Sequence, residues 1–314
     1  MLRFGAVADV PAGFGPSAVT IGKFDGVHAG HRAVIERLEQ LAEPRGLTTT
    51  VLTFDRNPLS LLNPAECPAP LTSNAQKLDL LESTGLDAVL VVAFDRAFSE
   101  IPPEEFVTGI LVGALNAGIV LVGADFRFGV RGSGDVALLR ELGAQHGFEV
   151  VVMDDVSSEG DRRVSSTWIR DLLAEGDVTR AAELLGAIPT IRADVVHGLQ
   201  RGRTLGYPTA NLSPVVEGFV PADGVYAAWL TVDGLRYPAA VSVGNNPTFE
   251  GVPEKTVEAH AIDSFGLDLY DKKAEISFVE YIRGMRKFSG ADALAEQMGL
   301  DELRIRGVLG LQTP

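Results

Sequence analysis

Two histidines three residues apart, His28 and His31, close a glycine-rich stretch, Gly22-Lys23-Phe24-Asp25-Gly26-Val27-His28-Ala29-Gly30-His31. A short apolar run, Ala18 to Ile21, precedes it, and a helical pattern follows. A strand that ends in such a turn and enters a helix aims backbone N–H groups and a positive dipole end at one spot, where polyanions bind. On a helix, a spacing of three lets both imidazoles converge on one ligand and donate to phosphate oxygens. Gly22, Gly26 and Gly30 allow the backbone to come close. The same residues also read as a helix cap followed by a surface histidine, so the turn alone leaves both open.

A second set lies far downstream. Thr209 and Asn211 in Tyr207-Pro208-Thr209-Ala210-Asn211 are two apart, so on an extended chain a hydroxyl and an amide face one way and can hold a hard cation through oxygen. The basic, glycine-rich loop Gly198 to Gly206, with Arg201, Gly202 and Arg203, leads into them. In Thr256-Val257-Glu258-Ala259-His260, alternation puts Glu258 and His260 on one strand face, either as plain polar surface or with Glu258 available as a base. Other strand ends carry Asp55-Arg56-Asn57-Pro58 and Gly123-Ala124-Asp125-Phe126-Arg127-Phe128-Gly129. Asp125 is also a common turn residue. Ser165-Ser166-Thr167 before a helical pattern is first a cap signal, with Arg163 and Arg170 as local positive charge.

The elements that must position these residues alternate in the first half. Strands are expected at Val19–Ile21, Thr50–Phe54, Ala88–Phe94, Ile119–Val122 and Glu149–Met153. Helices are expected at Arg32–Leu41, Gln76–Glu82, Pro103–Leu115 and Val136–His146. This βαβ rhythm implies a mostly parallel, doubly wound sheet with ligands beyond the carboxyl ends of its strands. No Gly-x-Gly-x-x-Gly follows the first strand and no Walker lysine motif occurs. At Gly186 to Pro189 the rhythm changes, placing a domain boundary between 186 and 187. Tyr226–Val232 and Leu235–Val243 flank Asp233-Gly234, a hairpin signal. Val257–Ile262 and Ala274–Tyr281 add strands, so an antiparallel barrel or sandwich of about six strands is expected. From Ser289 a helix returns, with Ser289 and Asp292 as a capping box and Leu294, Met298, Leu303 and Leu309 available to pack on the barrel.

Composition bounds the rest. A chain of 314 residues accommodates two cores, and a net charge of −15 argues against a general nucleic-acid binder. The single cysteine, Cys67, excludes an intramolecular disulfide and a cysteine-based zinc site. Met1 to Gly15 lacks an export pattern, and the longest uncharged run, Gly109 to Ala124, is too short for a membrane span. A cytoplasmic protein is expected. Homo-oligomerisation stays open.

Taken together, these motifs resemble those of the prokaryotic bifunctional riboflavin kinase/FAD synthetase family, from about Val19 to the C-terminal helix. The resemblance implies an N-terminal Rossmann-like nucleotidyltransferase domain (1–186) that adenylylates FMN to FAD, and a C-terminal six-stranded barrel with a helix (187–314) that phosphorylates riboflavin. Each would use ATP with Mg2+. It implies catalytic roles for His28, His31 and Glu258, the last as general base. It implies nucleotide or phosphate contacts at Gly22, Phe24, Asp25, Gly30, Asn57, Asp125, Ser165, Ser166, Thr167 and Arg170, and at Arg201, Gly202, Gly206 and Pro208. Phe126, Phe128 and Arg283 would meet the flavin, and Thr209 and Asn211 the metal. One departure stands out: Asn57 occupies a position where the family usually has His, so a kinase with a weakened adenylyltransferase half is one alternative. A flavin-binding regulator without turnover is another.

Overall fold

β1 (Leu2–Phe4), β2 (Ser17–Ile21), β3 (Thr48–Phe54), β4 (Ala88–Val92), β5 (Ala117–Gly123) and β6 (Glu149–Met153) form one parallel sheet in the order β1-β4-β3-β2-β5-β6. The computed structural model describes residues 1–154, 162–197, 207–244, 255–264 and 267–312. They fall into two compact units: Met1–Pro70 with Asn74–Ser165, and Leu71–Ser73 with Ser166–Pro314.

In the first unit the inner strands are buried almost throughout, because both sheet faces are covered; β4 is wholly apolar, whereas β2 and β3 also bury Ser17, Thr20, Thr49, Thr50 and Thr53. Ile35 and Leu38 of the helix Ala29–Ala42 and Leu81 of the helix Asn74–Glu82 pack on one face, against Val51, Val89, Ala18 and Leu121. Phe106, Ile110 and Leu111 and the helix Val136–His146 cover the other, against Val19, Leu52, Leu90 and Val120. Strand order reverses between β2 and β5, so the turns after these two strands border the crevice in which such sheets hold ligands.

The second unit is a closed antiparallel barrel in the order β10-β11-β8-β7-β12-β9, from β7 (Thr190–Val196), β8 (Ala210–Leu212), β9 (Gly224–Val232), β10 (Leu235–Gly244), β11 (Thr256–Ala261) and β12 (Lys273–Arg283). Closure removes the unpaired edges an open sheet would expose. Asp233 and Gly234 both take positive φ (51° and 77°), as the two-residue hairpin turn between β9 and β10 requires. The helix Ala291–Leu309 lies on the outside, with Ile305 buried among Val225, Ala227, Ile262 and Ile282.

Several expectations are corrected. β1 comes in addition to the five strands read in the first half; only Phe4 of its three residues is buried, too little for an apolar pattern. The helix over 103–115 is wound wide from Phe106 to Ala114, with Leu115 N–H reaching Ile110 O at 2.9 Å. The C-terminal capping box is not made: Gly290 stands at the cap without a side-chain hydrogen bond, and Leu303 is exposed, the inward positions being Asp301, Ile305 and Arg306. Apart from these corrections, the helices Ser166–Glu175 and Val178–Leu185 lie in the second compact unit. Thr179 Oγ1 donates to Val279 O at 3.3 Å, and Ala222 N–H to Leu173 O at 2.9 Å.

Candidate active sites

At the end of β2 the chain bends sharply. Phe24, Gly26 and Val27 have φ of 50°, 81° and 41°. For Phe and the β-branched Val this is a costly conformation, held here because both side chains are buried. Thr53 Oγ1 donates to Lys23 O at 3.1 Å and Gly22 N–H to Leu52 O at 3.1 Å, tying the turn to β3. His28 caps the helix Ala29–Ala42, its Nδ1 accepting from His31 N–H at 3.4 Å. Cap and convergent pair are therefore one arrangement: the rings stack at 3.7 Å, and Phe24 backs His31 at 4.8 Å. Gly30 leaves room for this, since a Cβ there would stand 3.1 Å from His28 Cε1 and press on the ring.

Burial first, then the positive charges of His28, Lys23, Arg163 and Lys77, hold His31 well below the ordinary imidazole range. Its Nδ1 is buried without a partner among the described residues, as is Arg32 Nε. Two buried, unspent nitrogens at a helix N-terminus, amid cationic side chains in an acidic chain, make a site for an anion.

The neighbouring strand ends complete this side of the sheet. Arg163 Nη1 lies 3.4 Å from Asp125 Oδ2. Phe126 stacks on Phe128 at 5.6 Å, and Phe128 is buried in the core, so the first presents the ring surface and the second holds it. Gly129 is obligatory: its φ is +70° and a Cβ would meet Pro103 Cγ at 2.6 Å. Asn57 Oδ1 accepts from Leu59 N–H at 3.1 Å, and Arg56 is engaged with Asp55 at 3.0 and 3.1 Å. Burial opposes ionisation of Asp55, but hydrogen bonds from Arg56 and the Phe94 N–H outweigh it and lower its pKa.

Sequence reading missed Lys77. It lies four residues before Leu81 on the buried face of its helix, and a lysine on an apolar stripe was the available signal. Its Nζ donates to Phe54 O at 2.6 Å, and burial brings it down to about 8 although Asp25 and Asp55 pull it up. Ser165 ends the first unit, whereas Ser166, Thr167 and Arg170 sit at and after the start of the helix Ser166–Glu175, counted with the second.

In the barrel, Glu258 of β11 stands directly opposite Asn211 of β8, so their side chains share a face. Val257 and Ala259 point inward and are buried, leaving Glu258 on the outer face with Ser242 of β10 on its other side. His260 Nδ1 lies 2.9 Å from Pro208 O and its ring meets the Tyr207 ring at 5.1 Å, pinning the segment that carries Thr209. Arg201, Gly202 and Gly206 lie outside the described residues. Arg283, expected beside a flavin, is paired with Asp301. Its Nε and Nη2 reach that carboxylate at 2.9, 2.9 and 2.7 Å, with both side chains largely buried.

The comparisons with known proteins divide the chain along the same lines. The FAD synthetase family matches residues 12–168, and the Riboflavin kinase family matches 185–309. The "Bifunctional riboflavin kinase/FMN adenylyltransferase" of Escherichia coli K12 is 37% identical over 94% of both chains. The chain belongs to the bifunctional riboflavin kinase/FMN adenylyltransferase family. The Bacillus subtilis member is 36% identical over 91% of this chain and 90% of its own. A crystal structure described as a macrolide-efflux protein from Streptococcus pneumoniae superposes with a TM-score of 0.86 at 32% identity, covering 97% of this chain and 98% of that one. Among the described residues here, no helix is long and apolar enough to cross a membrane.

Proposed function

We propose that the chain makes FAD in two ATP-consuming steps, with residues 1–186 adenylylating FMN and residues 187–314 phosphorylating riboflavin. The family matches, ending at 168 and resuming at 185, support this division. The observation that carries the residue assignment is the register of β8 and β11, which sets a carboxylate, Glu258, directly opposite Asn211, two residues after Thr209.

In the barrel, Glu258 takes the proton of the riboflavin 5′-hydroxyl as that oxygen attacks the γ-phosphorus of ATP, and ADP leaves. The Thr209 hydroxyl and the Asn211 amide oxygen are hard donors that would hold magnesium alongside phosphate oxygens and water. Magnesium held there would supply neutralisation of charge on the ATP phosphates. In the first unit the FMN phosphate, already ionised, attacks the α-phosphorus of a second ATP, and pyrophosphate leaves. No protein nucleophile or base is needed. His28, His31 and the helix N-terminus orient the phosphates, Gly22, Phe24, Asp25 and Gly30 shape the turn, and Asn57 offers its amide N–H groups. Asp125 and Ser165 serve the nucleotide; Phe126, supported by Phe128, serves the flavin ring. The reactants are small and soluble, and the acidic chain works in the cytoplasm without nucleic acid.

The test is separation of the two activities. Glu258→Gln should lower FMN formation by about 10²–10⁴-fold while adenylylation of supplied FMN continues. His28→Ala should do the reverse. Loss of both activities in either variant would contradict the assignment of separate sites.

A further inference from the structure

The buried amine of Lys77 is not absorbed by the reaction as derived above. Its residue is only 6% exposed, yet its Nζ makes a single hydrogen bond among the described residues, to Phe54 O at 2.6 Å. An ammonium carries three donors, and leaving two unmet in the interior is costly unless something else meets them. Phe54 is the last residue of β3, which pairs with β2, so Lys77 reaches the strand-end side on which the Gly22–His31 turn lies. Its charge is felt at His31 and is itself drawn to Asp25, inside that turn, and to Asp55. The other cation at this strand end, Arg56, is engaged with Asp55, and Asn57 is neutral with its carbonyl capping Leu59.

We propose that Lys77 is a further anion-binding residue of the first unit, its two remaining N–H donors meeting phosphate oxygens of the bound substrates and supplying the charge that Asn57 does not. This rests on the adenylyltransferase reading. Phosphate reaches the site on FMN and on ATP, and the same chemistry serves both. Two consequences follow. The hydrogen bond to Phe54 fixes the amine in place before substrate arrives, so little ordering is left to do on binding. Since burial leaves the amine partly neutral in the free protein at about pH 8, anion binding draws a proton onto it.

The test uses the full chain with magnesium, titrated with inorganic pyrophosphate and separately with FMN in a calorimeter. Lys77→Met should weaken at least one of them about tenfold or more, equivalent to about 1.4 kcal/mol, and Lys77→Arg should restore part of it. Loss confined to pyrophosphate assigns the amine to the polyphosphate; loss confined to FMN assigns it to the flavin phosphate. Runs at pH 8–9 in buffers of different ionisation enthalpy should show more proton uptake for the parent than for Lys77→Met. Unchanged affinities in Lys77→Met with only a lower melting temperature would make Lys77 a structural peg and overturn the proposal. If Lys77→Met does not fold, equal proton balance in the parent and Lys77→Arg with no net uptake between pH 7 and 9 overturns it as well. Binding is read without turnover. A parent that binds through Lys77 but makes no FAD would therefore overturn the adenylyltransferase reading while leaving an anion site.

Discussion

The Arg283–Asp301 pair joins the last barrel strand to the C-terminal helix. Asp301→Ala removes the acceptor of three contacts from Arg283, at 2.9, 2.9 and 2.7 Å, and of one from Gln297 Nε2 at 2.9 Å, and leaves the Arg283 guanidinium with Gly284 O at 3.0 Å. The side chains are 13% and 7% exposed, so solvent cannot replace the lost carboxylate. Breaking a buried pair on one side costs about 3–5 kcal/mol, whereas replacing both partners by apolar groups of similar volume is near neutral or stabilising. For a unit of this size, the single change corresponds to a fall of roughly 6–20 °C in melting temperature. Both tryptophans, Trp168 and Trp229, belong to the second unit, so intrinsic fluorescence follows its unfolding selectively. Asp301→Ala should melt early by this signal, and Arg283→Met/Asp301→Leu should melt near the parent. If Asp301→Ala keeps the parental melting curve and instead raises KM for riboflavin, the clamp is refuted and Arg283 is a flavin contact after all.

Other outcomes follow from the first unit. Gly129→Ala forces a positive φ on alanine and drives a methyl into Pro103, so it should destabilise this unit and lower FAD formation while sparing the kinase, measurable by separate product assays. His31 has a depressed folded pKa, so the stability it contributes is complete above the unfolded value near 6.5 and is lost as pH falls from there through the folded value. His31→Gln should flatten that part of the urea-midpoint profile below pH 6.5; an unchanged slope would remove His31 as its source. Gly30→Ala pushes a methyl against His28 and should raise KM for the phosphate-bearing substrates more than it lowers stability.

What sequence could and could not show has physical causes. The inner strands were legible because strands buried on both faces are runs of apolar and β-branched residues, and Asp233-Gly234 because two positive φ values favour those residues. Helix Val136–His146 appears with the expected bounds, its Asp135 cap accepting from Leu138 N–H and Gly147 closing it in the left-handed region. The His28 cap was legible as an alternative to a ligand, but that a ring could cap and still stack on its neighbour was not, since this follows from how the turn folds the two rings together over Gly30. Long-range partners were hidden: Glu258 opposite Asn211 depends on barrel register, Arg283 with Asp301 on how the last helix docks, and Lys77 with Phe54 O on packing against β3. The unmade cap at Ser289 shows the opposite failure, a local motif matched where the backbone takes another path.

The central claim, two successive activities in one chain, is met most directly by a time course. Purified protein is incubated with riboflavin, ATP and magnesium, and riboflavin, FMN and FAD are separated chromatographically. FMN should rise first and FAD follow at its expense. Accumulation of FMN with no FAD, even when FMN is supplied directly, would contradict the account.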